Sequence, residues 1–281
     1  HAGAVAFSDD GSTPANSLVM RYALEYASMY NAPVIDHCED ILLANQGHMN
    51  EGIMSTRLGI TGIPNASESV IIARDIELAR LTGSPLHIAH MSTAEGVQLV
   101  RRAKQDGLPV TCEVAPHHLL FTDSDLTGFD PNLKMNPPLR TQKDVDALLE
   151  GIADGTVDVF ASDHAPHSLE EKQVEFEAAP FGIIGLQSML GVILKTVVQS
   201  GTLSLEQAVE KMCVTPRKIL NLPVPQIKPG EPANLTLFNP NANSILRKQD
   251  IKSLSHNSPY IDMELPGHIY GVCNKGLIYI N

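Results

Sequence analysis

Short apolar runs that alternate with helix-like stretches constrain the fold of this chain more than any other feature. The runs at 4–8, 34–37, 86–90, 110–115 and 157–162 have the length of strands, and amphipathic or polar segments of helix length separate them. Strand–helix repeats with short connections predict parallel strands joined by right-handed crossovers. A doubly wound sheet and a (β/α) barrel both have this pattern.

Polar side chains at the ends of the predicted strands favour the barrel. They are Asp10, His37, His90, Glu113 with His117 and His118, and Asp163 with His164 and His167. Barrels of the TIM type assemble their active sites from the carboxyl ends of successive strands. We therefore predict an α/β fold of the (β/α)8 TIM-like type. The chain has about five such strands, so the barrel is expected to be incomplete.

Two helical regions give further expectations. In the helix predicted from Ser67 to Leu81, the candidates for the buried face are Val70, Ala73, Ile76 and Leu81. Ser92 is the expected cap of the next helix, and Glu95, three residues later, completes a capping-box pattern.

After residue 222 the composition changes to a Pro-rich linker followed by β-like alternation. This change predicts a first unit over 1–222 and a β-rich unit over 223–281.

The charge and cysteine content limit the classes of partner and the compartment. A formal net charge of −12 disfavours nucleic acid and anionic membranes as partners, because neither is attracted to an acidic protein. The four cysteines are widely spaced and are predicted to be free thiols, which indicates a reducing cytoplasm. No apolar stretch approaches the ~20 residues that a membrane helix needs.

The strand-end residues have the chemistry of a hydrolytic metal site. Imidazole and carboxylate groups are the ligands that suit zinc and similar divalent metals. One strand-terminal His or Asp is more often a hydrogen-bonded structural residue, but repetition on successive strands favours a metal site. Cys38 should point away from His37 on an extended segment. His87 has no comparable context and is expected to be a surface or core residue.

Several sequence motifs closely resemble those of the bacterial type I dihydroorotases of the amidohydrolase superfamily. The motifs are Phe7-Ser8-Asp9-Asp10-Gly11, His37-Cys38-Glu39-Asp40, Gly62-Ile63-Pro64-Asn65 with Glu68 and Arg74-Asp75, His90-Met91-Ser92-Thr93, Pro116-His117-His118, Asn136-Pro137-Pro138-Leu139-Arg140 and Asp163-His164-Ala165-Pro166-His167. The match runs in order through almost the whole chain. The resemblance implies that 1–222 is part of an amidohydrolase barrel and that 223–281 is the C-terminal part of a β-sandwich.

The resemblance also implies a function and a ligand set. Such enzymes use zinc to interconvert N-carbamoyl-L-aspartate and L-dihydroorotate in pyrimidine biosynthesis. Asp10, His37 and His90 match the bridging carboxylate and the two histidines that hold one zinc. Asp163 matches the residue that contacts the other zinc and transfers the proton in catalysis.

Further positions match the substrate contacts of the family. They are Asn136, His167 and the backbone of Phe181 and Gly182. The segment from His167 to Gly182 is then expected to shape and cover the pocket, and its charged part, from Ser168 to Glu177, is expected to be mobile.

Two other functions stay open on the sequence. Dihydropyrimidinases and allantoinases are similar cyclic-amide hydrolases, but they usually bridge their metals with a carboxylated lysine, whereas Asp10 stands at that position here. The other alternative is a non-catalytic, dihydroorotase-like scaffold that binds aspartate transcarbamoylase. The intact set of Asp10, His37, His90 and Asp163 disfavours the scaffold.

One family feature is not found in the sequence. The family's first strand carries a His-x-His pair followed by an arginine, and no such pair precedes Asp10. We therefore expect a dihydroorotase that lacks its N-terminal part. This chain alone should bind at most one of the family's two zinc ions tightly and should be weakly active or inactive. A homo-oligomer, with aspartate transcarbamoylase as an additional partner, is the expected assembly.

Overall fold

The computed structural model describes residues 3–280, and short strands form its framework. The strands are β1 (Phe7–Ser8), β2 (Val34–Asp36), β3 (Met49–Asn50), β4 (Gly62–Ile63), β5 (Leu86–Ile88), β6 (Val110–Val114), β7 (Val159–Phe160), β8 (Asn234–Ile245), β9 (Glu264–Asn274) and β10 (Leu277–Ile280).

Helices occupy most of the connections. The α-helices are α1 (Ser17–Ser28), α2 (Ile41–Ala44), α3 (Ile53–Leu58), α4 (Asn65–Thr82), α5 (Ala94–Gln105), α6 (His117–Leu120), α7 (Gln142–Ala153), α8 (Leu169–Lys172), α9 (Met189–Ile193), α10 (Leu205–Val209) and α11 (Thr215–Ile219). Short 3₁₀ turns cover Asp123–Gly128, Pro131–Leu133 and Lys248–Asp250. No helix in residues 3–280 combines the length and apolar content needed to cross a membrane.

The central sheet contains five parallel strands in the order β1-β2-β5-β6-β7. Each new strand of this sheet adds to the same edge, and α1, α4, α5 and α7 lie in the four connections. A doubly wound sheet instead reverses its strand order at a switch point. The order therefore confirms the α/β prediction and favours the barrel type over the doubly wound one. Strands β3 and β4 form a separate parallel pair beside this sheet.

The helices pack apolar faces against the sheet. On α1 the buried residues are Met20, Leu24 and Ala27, at helical spacing, and they join the main core with the strand residues Ile88 and Val114. The opposite face of α1 exposes large apolar side chains, namely Leu18, Val19, Tyr22, Tyr26, Met29 and Tyr30. An exposed apolar face agrees with the expectation for an incomplete barrel.

The buried face of α4 differs from the prediction. Ile76 is buried as expected, but Val70 and Leu81 are 48% and 63% exposed. The inward face instead includes Glu68 and Asp75, at 3% and 0% exposure. Because these two acids are satisfied by buried polar partners, a search for apolar spacing alone selects the wrong face of the helix.

The cap of α5 is also displaced by one residue. Thr93, rather than Ser92, is the N-cap, and its side chain accepts a hydrogen bond from the Gly96 amide. The Ser92 hydroxyl donates instead to Glu68. The predicted capping box with Glu95 is therefore wrong, because a buried carboxylate from α4 binds the residue that would have served as the cap.

The segments 189–198 and 205–219 are continuous helical runs that include π-helical turns. The turn Leu194–Val198 follows α9, and the turn Glu210–Val214 joins α10 to α11. Pro216, in the first turn of α11, lacks the N–H that a helix interior requires. The wider π-helical turn before Pro216 allows the helix to continue through this position.

The C-terminal part forms its own antiparallel sheet, with the order β10-β9-β8. Residues 223–233 contain neither helix nor strand. The sheet contacts the preceding part at Gly191 on α9, where an added Cβ would lie 2.8 Å from the Leu265 side chain. The division near residue 222 stays a prediction.

Candidate metal and substrate site

Two histidines meet at the carboxyl ends of adjacent strands. His37 follows β2 directly and His90 lies two residues beyond β5, and their side chains are buried. Nδ1 of His37 lies 3.1 Å from Nε2 of His90, and the two rings pack edge to face. The structure thus brings together two of the three predicted ligands of one metal.

His90 and Asp163 both have an unusual backbone conformation. Their φ angles are +29° and +45°, in the region that residues other than glycine rarely adopt. Such strain costs about 1–3 kcal/mol per residue and is concentrated at functional sites. At His90 the strained backbone is held by the Glu113 carboxylate, which accepts the His90 amide at 3.2 Å.

Asp163 lies beyond the end of β7 with its side chain partly exposed. Its Oδ2 atom is 3.6 Å from Nε2 of His117. Desolvation raises the pKa of the Asp163 carboxyl, the charges of Glu113 and Asp10 raise it further, and His90 and His37 oppose the shift. A carboxyl group with a raised pKa is suited to taking up and returning a proton near neutral pH.

Three imidazoles in this region have an unused ring nitrogen. Nδ1 of His90, Nε2 of His117 and Nδ1 of His118 are buried and have no hydrogen-bond partner. Burial lowers the pKa of His118 to about 3, and burial together with the charges of His118 and His90 lowers that of His117 well below its usual value. His117 and His118 are therefore neutral at pH 7. Since neutral imidazole is the form that binds metals, these buried nitrogens fit a metal or a polar ligand.

Asp10 is not part of a compact set with His37 and His90. It is exposed in the turn after β1, and these three side chains do not form a group whose ligand atoms all lie within 4.8 Å of one another. Its charge nevertheless acts on Asp163. The structure therefore places Asp10 at the same end of the sheet, while the direct contact is between the two histidines.

Within residues 3–280, a different group has its ligand atoms within 4.8 Å of one another. It consists of Asp36, Cys38 and Asp75, all of which are buried. This group could hold a metal ion, but Nε of Arg74 already lies 2.8 Å from Asp75, and burial raises the pKa of Asp75 to about 8, so this carboxyl is mostly protonated at pH 7. Burial and the nearby acids raise the pKa of Cys38 well above its usual value, so the thiol is protonated. Cys38 thus contacts these acids and is absent from the histidine pair.

Asn136 lies beside the histidine pair. Its amide nitrogen is 3.4 Å from Nε2 of His37 and 3.3 Å from the Glu39 carboxylate. The bond between Asn136 and Pro137 is cis. The structure therefore places this predicted substrate contact next to a predicted metal ligand.

His167, Phe181 and Gly182, the other predicted substrate contacts, lie together. Nε2 of His167 is 2.8 Å from the carbonyl oxygen of Phe181. Gly182 has φ +101°, and a Cβ at this position would lie 2.5 Å from that of Ala165. Asn257 bridges the two chain segments, because its amide donates to the carbonyls of Ala165 and Gly182. Only glycine fits this close approach.

Glu68, a carboxylate on α4, holds the loop that follows His90. The sequence prediction gave it no role. Glu68 accepts hydrogen bonds from the amides and hydroxyls of Ser92 and Thr93. The Ser92 hydroxyl in turn accepts from Arg140, which also donates to the carbonyl of Ile63. This network fixes the loop that follows His90. The motifs that contain Glu68 and Arg140 were the available signal for it.

His87 was expected to be an ordinary surface or core histidine, and it is buried inside the sheet. Nδ1 of His87 lies 2.7 Å from the Thr111 hydroxyl, and Nε2 lies 3.2 Å from the Glu113 carboxylate. This carboxylate is the one that accepts the His90 amide. The parallel register of β5 and β6, which pairs His87 with Thr111, creates the contact and could not be read from either strand alone.

Comparison with known sequences gives a consistent result. Residues 1–96 match the family model described as dihydro-orotase-like. The chain is 44% identical to the dihydroorotase of Acetivibrio thermocellus over 279 residues, which is 99% of this chain and 66% of that protein. It is 50% identical to the dihydroorotase of Endomicrobium trichonymphae, over 95% of this chain and 63% of the relative. The chain thus spans slightly less than two thirds of the length of these relatives.

Solved structures agree on the fold. The L-hydantoinase (dihydropyrimidinase) from Arthrobacter aurescens superimposes with a TM-score of 0.87 at 25% identity, covering 100% of this chain and 65% of that one. A D-hydantoinase structure gives a TM-score of 0.81 at 23% identity, covering 99% and 64%. Together with the sequence matches, these similarities show that the chain belongs to the dihydroorotase-like family of amidohydrolases.

Proposed function

We propose that the protein containing this chain is a dihydroorotase, which reversibly cyclises N-carbamoyl-L-aspartate to L-dihydroorotate in pyrimidine biosynthesis. The observation that carries the proposal is the placement of His37, His90 and Asp163 at the carboxyl ends of β2, β5 and β7, in a chain 44–50% identical to curated dihydroorotases. A cyclic-amide hydrolase of the hydantoinase or allantoinase type is the alternative. Its support is the overall fold, whereas sequence identity favours dihydroorotase.

Zinc is the metal that we propose for this cluster. The fit rests on the buried His90 nitrogen without a partner and on the neighbouring imidazole and carboxylate groups. His37 and His90 would hold the metal together with Asp10, and Asp163 would stand beside it. Zinc bound there would supply Lewis-acid activation of a water molecule and of the ring amide carbonyl.

The chain's own residues would then bind the substrate and transfer the proton. In the hydrolytic direction, the Asp163 carboxylate takes a proton from the attacking water and returns it to the leaving ring nitrogen. The Asn136 amide, His167 and the main chain at Phe181–Gly182 offer hydrogen bonds to the substrate. Because the Asn136 amide lies beside His37, it would help to orient the reacting carbonyl towards the histidine pair.

The decisive experiment is an assay of the whole protein with L-dihydroorotate and N-carbamoyl-L-aspartate, with hydantoin and allantoin as competing substrates. We expect turnover of the first pair, loss of turnover after chelation, and recovery on adding zinc. Replacing His37 by Ala should abolish recovery, whereas His268→Ala, a histidine on β9, should leave it intact. Turnover of hydantoin or allantoin but not dihydroorotate would establish the alternative function.

Further properties extend this proposal. We propose that the 281-residue chain binds at most one zinc tightly and has little activity by itself, because Asp10, His37 and His90 are the one complete ligand set identified in its sequence. Two tightly bound zinc ions by metal analysis would contradict this. A cytoplasmic location, supported by the free cysteines, a homo-oligomeric state and association with aspartate transcarbamoylase are proposed with it.

A further inference from the structure

Two buried lysines contact the segment 173–181, which ends on Phe181, one of the predicted substrate contacts. Lys134 is 1% exposed, and its ammonium donates to the carbonyl of Glu177 at 2.8 Å and to that of Ala179 at 2.7 Å. Lys172 is 5% exposed and donates to the carbonyl of Pro180 at 2.7 Å. The charged segment 168–177, which the sequence predicted to be mobile, is thus held at its last residue, Glu177, and the chain after it is held at Ala179 and Pro180.

The acceptors around Lys134 consist of main chain and aromatic rings. Nζ lies 4.7 Å from the ring centre of Phe181 and 5.6 Å from that of Phe176. Burial lowers the pKa of both Lys134 and Lys172 to about 8, so each is mostly protonated at pH 7. A buried ammonium is costly unless its donors are paired, and these pairs define the path of the backbone.

Lys134 also contacts the far end of the segment through its own main chain. The Lys134 carbonyl accepts the amide of Gly182 at 2.8 Å. The neighbouring Phe181 carbonyl lies 2.8 Å from His167. One residue therefore fixes the chain at 177, at 179 and at 182, and the fixed end is the part that approaches His167.

Lys172 connects the segment 173–181 to the turn that precedes Lys134. Besides Pro180, its ammonium donates to the carbonyl of Pro131 at 2.9 Å. Pro131 begins the 3₁₀ turn Pro131–Leu133, which immediately precedes Lys134. The two lysines thus connect the segment 173–181 to the same short stretch of chain, which continues directly into Asn136.

We propose that Lys134 is a positioning residue for substrate binding, which holds the segment 173–181 so that the main chain of Phe181–Gly182 faces His167, and that Lys172 assists it. The inference rests on the proposed function because it assigns that main chain to the substrate site. Neither lysine is assigned contact with the substrate. Their removal should therefore weaken substrate binding more than the chemical step.

The test compares Lys134→Met and Lys172→Met with Lys104→Met in the whole protein. Lys104 is the control, since its ammonium also donates to a carbonyl, that of Thr156 at 2.7 Å, and its other partners, Gly155 and Asp158, are likewise outside the segment. We expect Lys134→Met to raise KM for dihydroorotate by about 10- to 100-fold with a smaller change in kcat. Lys172→Met should act in the same direction to a lesser extent, and Lys104→Met should leave KM unchanged.

Hydrogen exchange gives a second readout that requires no activity. Amides of 173–182 should lose protection by at least about tenfold in Lys134→Met, while those of α5 should keep theirs. Unchanged exchange and unchanged KM in both lysine variants would overturn the proposal. Loss of protection in a protein that does not turn over dihydroorotate would leave the positioning of the segment intact and refute the proposed function instead.

Chemical rescue separates the ammonium from the bulk of the side chain. In Lys134→Ala, added n-butylamine should lower the raised KM part of the way towards that of the unchanged protein. The alcohol n-butanol, of similar size but uncharged at neutral pH, should not. Equal rescue by the two compounds would show that Lys134 only fills space, and would also overturn the proposal. If Lys134→Ala does not fold, Lys172→Ala with n-butylamine and n-butanol provides the same comparison.

Discussion

The Glu68 network and the histidine cluster meet at the loop 90–93, and they use their hydrogen-bonding capacity in opposite ways. Both Glu68 oxygens accept hydrogen bonds from the backbone and side chains of Ser92 and Thr93. In the histidine cluster, His90 and His117 each keep a buried nitrogen without a partner. Since an unsatisfied buried polar atom is costly, the first region favours stability, whereas the second fits the ligand proposed for it.

The largest expected effect is on activity. Asp163→Asn removes the group proposed to transfer the proton while keeping the shape of the side chain. We expect kcat to fall by about 10²- to 10⁴-fold. The unfolding midpoint in urea should change little, because desolvation already disfavours the charged form of Asp163. A large loss of stability with normal kcat would place Asp163 with the structural region.

Glu68→Gln should give the opposite result. The glutamine amide can accept fewer of the hydrogen bonds from Ser92 and Thr93. Its NH₂ group is itself a donor and would face the N–H and O–H donors of these residues. We expect the free energy of unfolding to fall by roughly 3 kcal/mol, measured by urea denaturation. Glu170→Gln on α8 is the matched control, since Glu170 is exposed, and its midpoint should match that of the unchanged protein. Equal midpoints for the two variants would contradict the comparison.

The pH dependence of stability should show the cost of a buried imidazole. The pKa of His118 is lowered to about 3 in the fold, whereas an unfolded histidine has a pKa of about 6.5. Between these values the unfolded state binds the additional proton. Stability therefore falls as the pH drops from about 6.5 towards 3, by at most about 1.4 kcal/mol per pH unit from this residue.

His118→Gln tests this contribution, because the glutamine amide can replace the ring nitrogen that contacts the Pro137 carbonyl at 2.9 Å. Urea unfolding at several pH values should give a shallower acid slope for the variant, while the buried His117 still contributes. An identical slope in the two proteins would mean that His118 is protonated in the fold.

The smallest effect is expected on the surface of α1. Arg21 and Glu25 form an exposed pair at 2.8 Å, one helical turn apart. Solvent and salt screen such pairs, so Arg21→Ala should leave both the urea midpoint and kcat unchanged within error. A measurable loss would show that α1 contributes to stability through its outer face as well as its buried one.

The sequence predicted the strands and the polar side chains at their ends well, because both depend on local patterns. His37 and His90 lie in contact as parallel, adjacent strands require. The buried face of α4 was predicted wrongly, since Glu68 and Asp75 resemble surface residues unless their partners on distant segments are known. Lys134 gave no signal, because a lysine that binds main-chain carbonyls is identical in sequence to a solvated one.

The two π-helical turns have a consequence for the lengths of related chains. A π-helical turn corresponds to one additional residue within an α-helix. Deleting one residue from Leu194–Val198 would restore regular helix and leave the flanking residues on nearly the same faces, because the widened turn already accommodates the additional residue. Single-residue insertions and deletions between homologues are therefore expected inside these two helices, and an alignment that permits gaps only in loops would misplace the residues around them.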